Sequence, residues 1–318
     1  MTEASKTVLE KYQTRQSKKQ KAVFRDFIKA QAERLGFEYN VEKGSFGAKN
    51  IVIGNPESAK VLYTAHYDTA PVLPFPNFIT PKNFSVYILY VLGICVLAAA
   101  IMFPIGLALG FLTGIIITIL DLSPETTDLI LDILPLAFMM LFILLLSFGP
   151  ANKHTVNDNT SGVITLLEIM HLLPEEARTN TAFIFFDLEE QGLFGSSAFR
   201  SKHKKMTNDK LLINFDCVSD GENILFAVKK KAREHIPLIE SSFQANENVK
   251  VEIASKGVFY PSDQMNFPIG VGVAALKKNK LFGFLYMDRI HTKRDTVCRE
   301  ENIEFLSNGA VKLAVEIK

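Results

Sequence analysis

Residues that could bind a metal follow several apolar segments of this chain. The run from Thr181 to Phe186 is apolar and aromatic, which predicts a strand buried on both faces. Glu189 and Glu190 follow it, and Gly192 and Gly195 allow the chain to turn sharply. Adjacent carboxylates at the mouth of a buried strand repel each other, so a cation beside them is a natural partner. Taken alone, the segment also fits a solvated acidic turn.

Further candidate ligands occur at the ends of other apolar segments or in polar turns. They are two histidines and three carboxylates: His66, Asp68, Asp158, Asp216 and His291. Ligands in α/β sheets bind beyond the carboxyl ends of strands, so residues far apart in sequence can converge there. Two imidazoles and several carboxylates suit Zn²⁺ or a similar divalent metal.

Strands and helices alternate outside one long apolar region. Strands are predicted at 49–54, 61–69, 181–186, 211–216, 224–228, 250–253 and 271–276, and helices at 8–35, 163–173, 197–205, 232–245 and 303–317. Alternation of this kind is typical of an α/β fold with a largely parallel sheet.

The apolar region differs from the rest of the chain in charge and length. From Asn83 to Asn152 there is no Lys, Arg or His, and the segments 84–120 and 129–148 are almost wholly apolar. At ~1.5 Å per residue the second segment would be about 30 Å long, which matches one bilayer core. The first would be about 55 Å long as one straight helix, which is too long for a simple crossing. Pro104 and Gly106 therefore predict a kink, or a re-entrant portion around Pro104; alternatively, the first turns lie along the membrane interface. A pair of buried helices in a soluble core is the alternative.

Composition excludes several classes of protein. The formal net charge of +1 gives no electrostatic indication of nucleic-acid binding. The three cysteines form no CxxC pattern, and no apolar run follows the first residues, so neither a disulfide framework nor a signal peptide is predicted. Both observations favour a reducing, cytosol-facing location. HExxH, GxSxG and P-loop motifs are absent from the sequence.

Six short motifs, taken in order, resemble the M28 family of zinc peptidases, the di-zinc aminopeptidases. They are His66-Tyr-Asp68, Asn157-Asp158-Asn159-x-Ser161-Gly162, Asp187-Leu-Glu189-Glu190-x-Gly192-Leu-x-Gly195-Ser196, Asn214-x-Asp216, Ser262-Asp263-x-x-x-Phe267 and His291-Thr-x-x-Asp295-Thr. The resemblance covers residues 12–72 and 150–318. It implies a three-layer α/β/α peptidase domain, formed by residues 1–80 and 150–318. The resemblance does not cover residues 81–149, which the apolar segments predict to be an inserted transmembrane helical hairpin.

The resemblance also implies the metal ligands. Asp158 would bridge two Zn²⁺ ions, although another divalent metal is possible. Glu190 and His291 would complete one site, and His66 and Asp216 would complete the other.

Two catalytic roles follow from the same resemblance. Glu189 would be the general base that acts on a hydroxide bridging the metals. Asp68, two residues from His66 on one side of a strand, would orient that imidazole. The resemblance places Ser262, Asp263 and Phe267 in the substrate pocket, but a turn and a core aromatic would give the same pattern.

The sequence therefore predicts a membrane-anchored di-zinc exopeptidase, an aminopeptidase acting on short peptides. The alternative is a membrane-tethered scaffold that has the peptidase fold without activity; a transporter is disfavoured because the apolar segments are too few. Lys82 and Lys153 flank the insert, while residues 121–128 carry only acidic charges, so a multi-pass cell-membrane protein with a cytoplasmic peptidase domain is expected. The sequence leaves open the residue preference, the choice among aminopeptidase, carboxypeptidase and dipeptidase, the metal in vivo and the oligomeric state.

Overall fold

The apolar runs of the sequence form the strands of one mixed sheet. A computed structural model describes residues 1–75 and 77–317, apart from the side chains of residues 145 and 146. Within that part the strands are β1 (Tyr39–Lys43), β2 (Lys49–Ile53), β3 (Val61–His66), β4 (Thr181–Phe186), β5 (Leu211–Phe215), β6 (Asn223–Val228), β7 (Lys250–Ala254), β8 (Gly270–Lys278) and β9 (Leu285–Tyr286). The order across the sheet is β1-β2-β4-β3-β5-β8-β6-β7, and β9 pairs with β8.

The centre of the sheet is parallel and its outer parts are mostly antiparallel. β3 pairs in parallel with both β4 and β5, and β5 pairs in parallel with β8. Hairpin connections make β1–β2 and β8–β9 antiparallel, so the prediction of a largely parallel sheet holds for the central strands. The carboxyl ends of β3, β4 and β5 therefore meet at one edge, as binding at strand ends requires.

Helices cover the sheet and form the insert. They are α1 (Glu3–Lys11), α2 (Lys18–Arg34), α3 (Phe84–Leu120), α4 (Pro124–Phe148), α5 (Gly162–Leu172), α6 (Glu175–Arg178), α7 (Phe194–Lys202), α8 (Ile236–Ser242) and α9 (Glu300–Glu316). The single helix predicted at 8–35 is wrong. Ser17 starts a new helix there, because its Oγ accepts from the backbone N of Gln20 while the Gln20 side chain accepts from the backbone N of Ser17.

Side chains of β4 alternate between two cores, which gives the three layers. Phe183 and Phe185 belong to the core shared with α5 and α9. Ala182, Ile184 and Phe186 belong to a second core on the other face, which includes Phe199 of α7. The mixed α/β sheet with helices on both faces confirms the predicted fold class.

The chain divides into a larger unit, Met1–Asn83 with Ala151–Lys318, and a smaller unit, Phe84–Pro150. The smaller unit contains α3 and α4, and both helices are long and apolar enough to cross a membrane. α3 is one continuous helix that includes Pro104, so the predicted re-entrant portion is not present. α4 begins earlier than predicted because Ser123 caps it and Pro124 occupies its first position.

Candidate active site

The predicted ligands lie at the carboxyl edge of the central strands. His66 is the last residue of β3, Glu190 follows β4, and Asp216 follows β5 directly. Asp158 lies in the irregular turn before α5, and His291 lies in the loop after β9. The structure thus brings together residues that are separated by more than two hundred positions in the chain.

Both carboxylate oxygens of Asp158 face an imidazole. His66 Nε2 lies 3.3 Å from Asp158 Oδ1 and 3.4 Å from Asp216 Oδ1. His291 Nε2 lies 3.0 Å from Asp158 Oδ2 and 3.1 Å from Glu190 Oε2. Asp158 is therefore shared by two clusters, each of which holds one imidazole and one further carboxylate.

The two clusters fit a divalent metal. Potential ligand atoms in His66–Asp158–Asp216, and again in Asp158–Glu190–His291, lie within 4.8 Å of one another. Glu190 Oε1 is buried without a hydrogen-bond partner, which a cation would supply. A third combination joins Glu189 to His66 and Glu190, so Glu189 also lies within reach of the clusters. Imidazole nitrogen and carboxylate oxygen are ordinary zinc donors.

The orientation of His66 supports the same conclusion. Its Nδ1 lies 3.1 Å from the carbonyl oxygen of Asp68, so a proton on Nδ1 satisfies that contact. The lone pair on Nε2 would then point at the carboxylates of Asp158 and Asp216. Lone pairs that face each other repel, so this geometry needs a proton or a metal between them.

The carboxylates around the imidazoles change the pKa values of both groups. Burial lowers the pKa of His66, but Glu189 and hydrogen bonds to Asp158 and Asp216 outweigh it and hold that pKa well above its ordinary value. Burial raises the pKa of Asp158, but hydrogen bonds with His291 and His66 bring it below its usual range. The negative field that holds protons on these imidazoles would equally attract a divalent cation.

Asp68 fixes the turn that carries the two glutamates. Its Oδ1 accepts from the backbone N of Glu189 at 3.0 Å, and its Oδ2 accepts from the backbone N of Glu190 at 3.3 Å. The Asp68 carboxylate lies 3.6 Å from His66 Nδ1, farther than the Asp68 carbonyl oxygen. Asp68 therefore orients His66 through its backbone and the glutamates through its side chain, whereas the sequence indicated only the imidazole.

Glu189 lies beside the clusters in a poorly solvated position. Burial raises the pKa of Glu189 well above its ordinary value; His66 opposes this shift, and Glu190 adds to it. Burial therefore favours the protonated form of this carboxyl group.

A network that the sequence did not reveal holds the Asp158 turn. Asp295 accepts from the backbone N of Asn157 at 2.7 Å and from that of Asp158 at 3.0 Å. The side chain of Asn157 accepts in turn from the backbone N of Ser219 at 2.8 Å, which ties the turn to the end of β5. Asp295 belonged to a quoted motif, but its role could not be read from spacing alone.

Two buried cations from the N-terminal region, one between α1 and α2 and one in α2, also reach the site loops. Arg15 is fully buried, and its guanidinium donates to the carbonyl of Tyr67 at 2.5 Å and to Thr160 Oγ1 at 3.1 Å. Lys21 Nζ lies 2.7 Å from Asp187 Oδ1, at the start of the glutamate turn. The segment that contains Arg15 and Lys21 is rich in lysine and arginine, so the sequence did not indicate that these two side chains are buried.

Ser262, Asp263 and Phe267 were predicted either to line the substrate pocket or to form a turn and a core aromatic, and their surroundings differ. Phe267 is a core aromatic that stacks on Phe186 at 5.8 Å, and Ser262 is fully buried, where it accepts from Asn214 Nδ2 at 3.0 Å. Asp263 is also fully buried, and burial raises its pKa to about 7.

Comparison with known proteins agrees with this architecture. The model of "Peptidase family M28" matches residues 146–314, more than half of the chain. The chain belongs to peptidase family M28, a family of zinc peptidases, and is an enzyme of that class. No curated protein sequence matches it.

Several solved structures share the fold. The LapA aminopeptidase of Legionella pneumophila is 13% identical with a TM-score of 0.55, over 98% of this chain and 69% of that one. A Zn-dependent exopeptidase from Parabacteroides distasonis is 16% identical with a TM-score of 0.55, over 98% of this chain and 97% of that one. The glutaminyl cyclase of Porphyromonas gingivalis is 15% identical with a TM-score of 0.55, over 99% and 97%. At these identities the likeness describes the fold alone.

Proposed function

We propose that this protein is a membrane-anchored di-zinc aminopeptidase that removes N-terminal residues from short peptides. The observation that carries the proposal is the shared carboxylate of Asp158, which faces His66 through one oxygen and His291 through the other. His66, Asp158 and Asp216 would hold one metal ion, and Asp158, Glu190 and His291 the other. Bound zinc supplies Lewis acidity, which lowers the pKa of water and polarises a carbonyl group.

Glu189 is the proposed general base. It accepts a proton from the attacking water and delivers it to the amine that leaves, which requires a carboxyl group whose pKa lies near the working pH. Its raised pKa and its fixed backbone, held by Asp68, support this role. Asp68 contributes by positioning the glutamate turn, so that the carboxyl of Glu189 is already placed when substrate binds.

The excess of carboxylates favours an aminopeptidase over a carboxypeptidase. Glu189 and Asp263 are carboxyl groups at the site that the proposal does not assign to a metal, and they interact electrostatically with each other, so a substrate end that carries positive charge would be attracted to them. The α-amino group of a peptide supplies that positive charge.

The membrane anchor is the second part of the proposal. α3 and α4 expose apolar side chains along their length, and none of their described side chains is buried. Water solvates such apolar surfaces poorly, whereas the hydrocarbon chains of lipids solvate them well. We propose that both helices cross the bilayer and that the larger unit lies in the cytoplasm.

A substrate panel tests the catalytic proposal. Purified full-length protein is assayed with amino-acid arylamides, with peptides blocked at the N-terminus, and with peptides that begin with glutamine. Hydrolysis of the arylamides alone, with loss of activity on chelation and two equivalents of bound zinc, is the expected result. Cyclisation of the glutamine peptides would instead favour glutaminyl cyclase chemistry. Absence of turnover with one or no bound metal would favour the inactive scaffold.

A further inference from the structure

An exposed apolar turn joins β8 to β9. This turn, residues 279–284, places Leu281 at 81% exposure and Phe282 at 74%. Its shape is held by Asn279, whose side chain accepts from the backbone N of Leu281 at 3.0 Å and from that of Phe282 at 2.9 Å. A rigid turn that presents large apolar side chains to solvent is costly unless something covers them.

Cationic side chains flank the apolar tip. Lys278 and Lys280 are exposed, and neither has an ion-pair partner in the part of the chain that the structure describes. Residues 277–287 contain no acidic side chain. An apolar turn flanked by lysines that form no ion pair matches the chemistry of an anionic lipid surface. At such a surface apolar groups enter below the headgroups, and lysines contact phosphates.

The second arm of this hairpin binds the segment that leads out of the larger unit. The backbone N of Ile79 donates to the carbonyl of Met287 at 3.1 Å, and the N of Met287 donates back at 3.0 Å. The rings of Phe78 and Tyr286 lie 5.7 Å apart. The outgoing segment therefore runs along the hairpin.

The outgoing segment ends beside the turn itself. Lys82 and Asn83 line one surface depression together with Gly283 and Phe284. Asn83 is the last residue of the larger unit before the insert, and the next residue begins α3. Phe259 is a third exposed apolar side chain in this region. Its backbone N donates to the carbonyl of Pro81 at 2.8 Å, which places it beside the outgoing segment.

We propose that the apolar turn inserts into the headgroup region of the bilayer that α3 and α4 cross. Leu281 and Phe282 enter the interface, and Lys278 and Lys280 contact anionic headgroups. The turn is thus a second membrane contact, separate from the helices. The inference rests on the membrane anchor of the proposed function and is independent of the catalytic part.

Fluorophore labelling of the full chain in lipid nanodiscs tests the inference. An environment-sensitive label is attached at Leu281→Cys, with Cys95 and Cys298 replaced by Ser and the buried Cys217 kept. Leu172→Cys is the matched control, since it is an exposed leucine at the end of α5 away from the carboxyl edge. In a separate variant that carries only Cys298→Ser, the native Cys95 in α3 is labelled and reports insertion of the helices.

Phospholipids with a nitroxide near the headgroup are the quencher for positions 281 and 172, and phospholipids with a nitroxide on the acyl chain are the quencher for Cys95. Loss of fluorescence at position 281 and at Cys95, but not at position 172, is expected. Quenching at Cys95 without quenching at 281 would overturn the inference while the anchor stands. If neither label is quenched, the anchor is wrong and the inference falls with it. Arylamide hydrolysis by the same samples reports the catalytic proposal separately, and circular dichroism shows that each variant is folded.

Charge reversal tests the contribution of the lysines. Lys278→Glu with Lys280→Glu should reduce quenching at position 281 in discs that contain phosphatidylglycerol, and raised salt should do the same to the parent protein. In discs of phosphatidylcholine alone the reversal should have little effect. Unchanged quenching in the anionic discs would overturn the assignment of the lysines to headgroups.

Discussion

At the scale of single residues, the site distinguishes two adjacent glutamates. Glu190 Oε2 lies 3.1 Å from His291 Nε2, inside one of the clusters that share Asp158. Glu189 is held next to it through its backbone, and its pKa is raised well above the ordinary value by burial. Under the proposed function, the same turn would offer one carboxylate for metal and one for proton transfer.

Substitution of each glutamate should therefore give a different result. Glu189→Gln should keep its bound metal and lose about 10²–10⁴-fold in kcat, the usual contribution of a general base. Glu190→Gln should instead lose metal, because a ligand is removed. Metal analysis and steady-state kinetics on both variants check this. If Glu189→Gln lost metal while Glu190→Gln kept it, the two assignments would be reversed.

Arg15 lends itself to a second prediction at this scale. Its guanidinium connects the strand end that carries His66 with the loop that carries Asp158, through Tyr67 and Thr160. Arg15→Met should lower the free energy of unfolding by at least about 3 kcal/mol, because the charged hydrogen bonds to Tyr67 and Thr160, at about 1.5–3 kcal/mol each, are lost together with one to the carbonyl of Tyr12. Metal retention should fall as well, since both loops lose their common support.

Chemical denaturation and metal analysis check this expectation. Lys19→Met is the matched control, because it also removes one cation from the same segment but at an exposed position. Equal stability of the two variants would show that Arg15 does not support the loops.

Part of the site could be predicted at the residue scale and part could not. His66, Asp158, Glu190, Asp216 and His291 belong to motifs whose residue types suit a metal. Supporting groups such as Arg15 and Asp295 act through backbone groups far away in sequence, and such partners leave no pattern in a single chain. The candidate carboxylates could be predicted from the sequence, whereas the hydrogen bonds that orient them could not.

At the scale of elements, the strands were more predictable than their surroundings. β3, β4 and β5 are buried on both faces, so they stand out as apolar runs. β1 has a mostly exposed or half-buried pattern, and β9 has two residues, so neither gave a signal. The break between α1 and α2 was missed because lysines and arginines continue across it.

α1 is attached to α5 by a carboxylate whose ionisation matters. Glu168 accepts from the backbone N of Thr2 at 2.8 Å and from its Oγ1 at 2.7 Å, and Ser5 Oγ donates to the same oxygen. Burial raises the pKa of Glu168, but these hydrogen bonds outweigh burial and bring the pKa below its ordinary value of 4.5. A lowered folded pKa means that the contact stabilises above pH 4.5 and is lost as the pH falls through the lowered value.

Hydrogen exchange of the α1 amides against pH tests this prediction. Protection in the parent protein should fall in acid, whereas Glu168→Gln should show weaker protection that does not change over the same range. Glu176→Gln, an exposed change nearby, should behave like the parent. An equally steep acid loss in Glu168→Gln would contradict the prediction.

At the scale of the whole molecule, topology is the main prediction. Lys82 and Lys153 flank the apolar helices, and residues 121–128 carry only acidic charges. Positive residues remain on the cytoplasmic side, so the loop should lie outside. A cysteine at Thr126, with Cys95 and Cys298 replaced, should react with an impermeant maleimide on intact cells. Lys19→Cys in the same background should react only after permeabilisation, and the opposite pattern would reverse the orientation.

The place of β3 in the sheet has a consequence for how the protein is made. β3 lies between β4 and β5, both of which follow the insert in the chain. On the ribosome, His66 and Asp68 therefore emerge long before either neighbouring strand, and α3 and α4 emerge in between. If those helices enter the membrane as they are translated, anchoring is finished before His291, a proposed metal ligand, is synthesised. The order of synthesis would then ensure that each newly made molecule is tethered before it can cleave a peptide.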